Sequence, residues 1–125
     1  MHDLSRCGSE LGRYRLQDQT MAAMRAGERI VAAAFDVDVA NLRAPGRGAR
    51  RTAFARQVAM YLAHVTLGMP LTDVGRHFGR DRTTAGHACA RIEDCRDDDR
   101  TDRVLCYLEA AIERWRRCFL DGAST

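Results

Sequence analysis

Apolar positions recur along this chain with a helical period almost from end to end. Between residues 20 and 35, Met21, Met24, Ile30, Val31 and Phe35 fall where one face of a helix would meet a core. The stretch AFARQVAMYLAHVTL, 53–67, sets Val58, Tyr61, Leu62 and Val65 at i, i+3, i+4 and i+7, the spacing of a buried helical stripe. Gly68 should end that helix and Pro70 prevents its continuation. A short helix follows over 71–78 with Leu71, Val74 and Phe78 inward, closed by Gly79. The next opens at Asp81, placed as an N-cap, and runs to about residue 96. On it, Ala85, Ala88, Cys89, Ile92 and Cys95 make one stripe, and Thr83, Thr84, His87, Ala90 and Arg91 the opposite one. A last helix, 99–120, carries Leu105, Leu108, Ile112, Trp115 and Phe119 at core spacing, with Asp98 or Asp99 as its cap. Asp38 can cap a short turn containing Val39 and Leu42. No segment alternates with the period of a strand. The expected fold is all-α: a compact domain of five to six helices over 19–120, between a loosely ordered arm at 1–18 and a tail at 121–125.

Two short helices joined by a tight turn containing glycine, 71–78 and 81–96, form a helix-turn-helix. The second helix of such a pair enters the major groove of DNA by its N-terminal end. Here that end reads GRDRTT, Gly79 to Thr84. Arg82 can fork onto guanine or a phosphate, and Thr83 and Thr84 offer hydroxyls and methyls to base edges. Asp81 can cap the helix, orient an arginine, or accept from a cytosine amino group. Each side chain also has a local explanation as cap, surface residue or ion-pair partner.

Charge sharpens this picture. The net charge is only +3, yet residues 47–92 hold eight arginines against two acids. The final 29 residues hold seven acids against five arginines, so positive charge is concentrated mid-chain, as expected of a face that meets a polyanion. The segment APGRGARR, Ala44 to Arg51, breaks the helical pattern and presents Arg47, Arg50 and Arg51 in a flexible setting. A linker and an arm reaching a narrow, negative DNA groove fit that segment equally well.

Length and composition add bounds. A chain of 125 residues with 46% apolar content suits one globular domain. No apolar run exceeds six residues, which excludes a bilayer span, and the first ten residues lack a secretory layout. A cytoplasmic, nucleoid-associated location is the expectation. The five cysteines have neither C-x-x-C pairing nor zinc spacing and read as small buried hydrophobes, so no metal is expected. No paired carboxylates or nucleophile arrangement stands out, and His64, His77 and His87 show no orienting acid pattern. The chain is read as having no catalytic residues and no cofactor.

The run RQVAMYLAHVTLGMPLTDVGRHFGRDRTTAGHACARIE resembles the C-terminal DNA-binding domain, domain IV, of the bacterial replication initiator DnaA. The resemblance extends upstream through IVAAAFDVDVANL and the basic loop, covering roughly 25–118. It implies an all-helical domain that reads duplex DNA at short initiator boxes. It further implies that Arg80, Asp81, Thr83, Thr84 and His87 belong to the recognition helix. Arg91 matches a basic position further along it. Arg56 and Gln57 match a backbone-contacting start of the preceding helix, and Arg47 to Arg51 a minor-groove arm. The chain departs from the family pattern in three places: Gly79 stands alone where two glycines are usual, Arg82 replaces a histidine, and His64 replaces a basic residue. All twenty basic residues are arginines, so the lysine-containing phosphate loop of the initiator's ATPase cannot lie within this chain and no ATP-driven assembly is expected of it.

The leading reading is therefore sequence-specific binding of double-stranded DNA, as a transcription regulator or a modulator of replication initiation. The alternative is a protein-interaction module that binds the initiator or replication machinery, with the acidic C-terminal helix as its docking face.

Overall fold

The computed structural model describes the backbone of residues 4–121 and the side chains of residues 18–119. Five α-helices follow one another: α1 Leu4–Phe35, α2 Arg50–Val65, α3 Leu71–His77, α4 Arg82–Cys95 and α5 Asp99–Arg116. A 3₁₀ turn, Val39–Leu42, sits between α1 and α2, and π-helical turns continue α5 over Arg117–Asp121. Among the described residues there is no strand. None of these helices is long and apolar enough to cross a membrane.

The helix expected from residue 20 begins instead at Leu4, so the segment read as a loose arm is helical from there on. It contains no proline, and extending a helix whose later turns are already fixed by packing costs little compared with nucleating one. The end of α1 is built by Asp36, whose left-handed φ of 54° lets Val37 N–H reach the Ala32 carbonyl at 2.9 Å.

α2 is the central element. It is buried almost all round, from Ala55 through Ala63, and α1 and α4 pack against it. α5 packs on α1, and α3 packs on α4. Leu42, Val58, Val74, Phe78, Ile92, Leu105 and Ile112 fill the interior they enclose.

Three apolar expectations fail in detail. Val65 is 52% exposed, because the chain turns back after it and Leu67 and Met69 supply the contact with the core. Phe119 is 65% exposed, because the wider turns from Arg117 onward take it out of register with Leu105, Leu108 and Ile112. Its ring stacks on Trp115 instead, with centroids 5.6 Å apart. Cys106 and Cys118 are exposed rather than buried, while half-buried Cys89 packs on the core and burial raises its thiol pKa.

α3 ends in a turn that fixes the site. Gly79 takes a φ of 67°, which allows its own N–H to bond Arg76 and the Arg80 N–H to bond the Gly75 carbonyl at 2.8 Å. Gly75 is required by this closure. A Cβ there would lie 2.6 Å from the Arg80 carbonyl oxygen and 2.9 Å from that of Asp81.

Candidate nucleic-acid interface

α4 is held by its small apolar stripe. Ala85 and Ile92 are fully buried and Ala88 nearly so, which presses the helix onto α2 and α3. The opposite face is open to solvent: Arg82, Thr83, Thr84, His87, Ala90 and Arg91 are all exposed. Asp81 caps the helix, its Oδ1 accepting from the Thr84 N–H at 2.7 Å. The Thr84 backbone and hydroxyl hold the Asp81 carboxyl below its usual pKa, so it is ionised at neutral pH. The tip of α4 thus offers solvent a carboxylate, a guanidinium and two hydroxyls.

The arginines around this tip fall into two groups. Arg56, expected at the DNA backbone, is 5% exposed and turned inward. Its Nε donates to the Leu42 carbonyl at 2.7 Å, and its two terminal nitrogens donate to Asn41 at 2.9 Å and Arg47 at 3.1 Å. Arg80 behaves similarly. It donates to the carbonyls of Phe78 at 2.6 Å, Ala44 at 3.0 Å and Gly46 at 2.5 Å. Two guanidiniums therefore bind five carbonyls between Asn41 and Arg47, and through Arg80 they tie that loop to the turn before α4. Burial and the neighbouring charge of Arg80 lower the Arg56 pKa from its usual value, the electrostatic cost of placing two cations behind one loop. Arg56, expected at the DNA backbone, thus gives three of its five N–H donors to the loop.

Arg91 donates to the Gln57 Oε1 at 2.9 Å and lies 5.8 Å from the centre of the Phe54 ring, so these two expected site residues form one linked pair across α2 and α4. Arg47 and Arg50 are exposed, and among the described residues Arg51 meets exposed Asp36 at 4.0 Å. Gly46, Arg47, Arg56, Gln57, Arg80, Thr84, His87 and Arg91 share an open groove of about 560 Å³ between the loop, α2 and α4. Arg82 and Thr83 stand at its end on the first turn of α4, and Arg50 and Arg51 on the first turn of α2. His64 bonds the Met69 carbonyl at 2.7 Å through Nδ1, which must therefore be the protonated nitrogen, and serves the α2–α3 turn.

The sequence shows no orienting acid pattern for any histidine, yet His77 has an acid partner. Glu28, 2% exposed on α1, accepts from His77 Nε2 with one oxygen and from Arg43 Nε at 3.0 Å with the other. The pairing crosses 49 residues of sequence, and only a lone acid inside the apolar stripe of α1 hinted at it. Its surroundings are structural: it fastens α3 and the approach to the basic loop onto α1.

Comparison with known proteins agrees with this geometry. A family model described as the bacterial dnaA protein helix-turn-helix matches residues 28–92, from the last two turns of α1 through most of α4. The chromosomal replication initiator protein DnaA of Mesorhizobium japonicum is 36% identical over 111 residues, 88% of this chain and 21% of that protein. The DnaA of Bartonella quintana is 43% identical over 75 residues, 59% of this chain and 15% of that protein. The DnaA of Mycobacteroides abscessus is 41% identical over 63 residues, 50% of this chain and 13% of that protein. The chain spans about a fifth or less of the length of these relatives.

Proposed function

Since the chain belongs to the bacterial DnaA helix-turn-helix family, we propose that it binds double-stranded DNA sequence-specifically, with α4 in the major groove and the 44–49 loop and first turn of α2 against the adjacent backbone or minor groove. The observation that carries this reading is the exposed N-terminal half of α4. Its polar face is uncovered while its apolar face is buried, and a braced basic loop flanks it. Such a face presents hydroxyls and a guanidinium to base edges, and fixed positive charge to phosphates.

In this reading Arg47, Arg50, Arg51 and Arg82 meet DNA, while Arg56 and Arg80 give most of their donors to backbone carbonyls of the loop and turn. With three or four phosphates neutralised, log affinity should fall with log salt at a slope of about −2.7 to −3.6. Thr83→Ala should cost about 1–3 kcal/mol on the preferred duplex and much less on others. Fluorescence anisotropy on duplexes selected from a random pool, repeated across salt concentrations, measures both. Affinity that ignores salt, or an equal Thr83→Ala loss on every sequence, contradicts the reading. Occupancy of initiator-type sites would modulate replication initiation or transcription nearby, and mapping bound sites across the genome distinguishes the two roles. Failure to bind any duplex, with recovery of the initiator as a bound protein, would favour the interaction-module reading.

A further inference from the structure

The basic side chains near α4 can be sorted by whether their donors are already used. Arg56 and Arg80 are committed to loop carbonyls, and Arg91 to Gln57 and the Phe54 ring. Arg82 is different. It is exposed, opens α4, and makes no hydrogen bond or ion pair with any described residue. Asp81 beside it forms no ion pair with it, because that carboxylate is turned onto the Thr84 N–H. At 100° per residue, Arg82 lies one step round the helix from outward-facing Thr83, on the side away from Thr84 and Arg91. The two edges of the outward face therefore carry unequal arginines: Arg91 pinned to the scaffold, Arg82 free at the leading tip.

A free guanidinium at that tip has two possible targets on DNA. A phosphate would have to approach the ionised carboxylate of Asp81, which repels it. A guanine presents two acceptors, O6 and N7, in the major groove, spaced to take both arms of a guanidinium fork. We propose that Arg82 is a specificity-determining residue that selects a guanine at one position of the DNA site. This rests on the reading of the chain as a duplex-DNA binder and goes beyond it by naming a base and the side chain that reads it. The pinned arginines orient the helix and loop, whereas Arg82, unpinned on α4, discriminates.

The test starts from sites selected by the full chain out of a randomised duplex pool. One position should be a guanine whose replacement by any other base weakens the wild type roughly 10-fold to 100-fold. Arg82→Ala should bind all four bases at that position alike. Arg82→Lys, which keeps the charge but lacks the fork, should retain the wild-type salt slope and lose most of the preference. Both changes fall on an exposed side chain, and circular dichroism checks that the helices persist. Replacing the guanine by 7-deazaguanine, which removes N7, should weaken the wild type and leave Arg82→Ala unmoved. Inosine, which keeps O6 and N7, should leave the wild type unmoved. If Arg82→Ala weakens every sequence equally and flattens the salt slope by about 0.9, Arg82 holds a phosphate and the inference fails while DNA binding stands. If the folded wild type selects no duplex at all, the underlying reading fails with it.

Discussion

Asp81 and Asp98 each stand one residue ahead of a helix, and each binds the backbone N–H of a threonine three residues on, at 2.7 Å and 2.9 Å. In both cases those backbone bonds hold the carboxyl below its ordinary value of 3.8. A depressed folded-state pKa means that the stabilisation is complete above the ordinary value and is lost as pH falls through the lower, folded one. The amides of Thr84 and Thr101 should therefore lose protection from exchange in acid before the core opens. Asp81→Asn should preserve the first turn of α4 through that range, and Asp81→Ala should loosen it at neutral pH as well. Amide exchange followed by NMR decides this, and a Thr84 amide indifferent to acid would rule out the cap. These caps were legible in the sequence because their partners lie three residues away. Arg56 was not legible, because it looked like any arginine on a basic segment. Its partners are carbonyls 9 to 15 residues distant, and nothing in composition distinguishes a guanidinium facing DNA from one facing a loop. Its position in line with Met60 and Ala63, on the buried side of α2, was the one available signal.

At the scale of elements, the site depends on how three pieces are locked in register: the 41–47 loop, the α3–α4 turn and α4. Arg56 holds the loop to α2, and Arg80 holds it to the turn. Arg56→Ala should leave carbonyls unpaired in a partly buried setting and cost about 1–3 kcal/mol of stability. It should also weaken DNA binding while leaving the log–log salt slope unchanged, because no phosphate contact is removed. A slope flatter by about 0.9 would instead place Arg56 on DNA. The turn is equally constrained. Gly75→Ala drives a methyl to 2.6 Å from a backbone oxygen that no side-chain rotation can move. The expected cost is about 1–3 kcal/mol, read as a lower denaturation midpoint, with α4 displaced and DNA binding weakened further than stability alone explains. The helices themselves were readable from apolar period, including the break at Gly79 and the restart at Asp81. The loop conformation was not, since it is set by long-range donors. The start of α1 was missed because its first turns carry little periodic apolar signal, and helix persistence, unlike helix burial, leaves no such pattern.

Over the whole molecule, two polar clusters join elements that sequence places far apart. Arg96, just after α4, reaches Asp102 at 2.6 Å, Glu109 on the same helix and the Tyr61 hydroxyl at 3.1 Å, and that hydroxyl donates to Glu93 at 2.6 Å. This ties α2, α4 and α5 together, and the bond to Asp102 raises the Arg96 pKa further. The second cluster is centred on Glu28, whose side chain is 2% exposed, against 9% for His77 and 48% for Arg43. It joins α1 to α3 and to the residue that leads into the basic loop. Removing its acid leaves the His77 N–H buried without an acceptor, whereas half-exposed Arg43 can turn to water. Glu28→Ala should therefore cost about 2–4 kcal/mol, toward the lower end of what a broken buried pair loses. Glu28→Gln should cost less, because the amide oxygen can serve Arg43 while His77 shifts its proton to Nδ1 and accepts from the amide nitrogen. Once His77 is alanine, Glu28→Ala should cost little more, because the two side chains act as one unit. Thermal unfolding of the four proteins measures this coupling. Additive losses, or equal losses for glutamine and alanine at position 28, would show that the site needs only bulk there and not an acceptor.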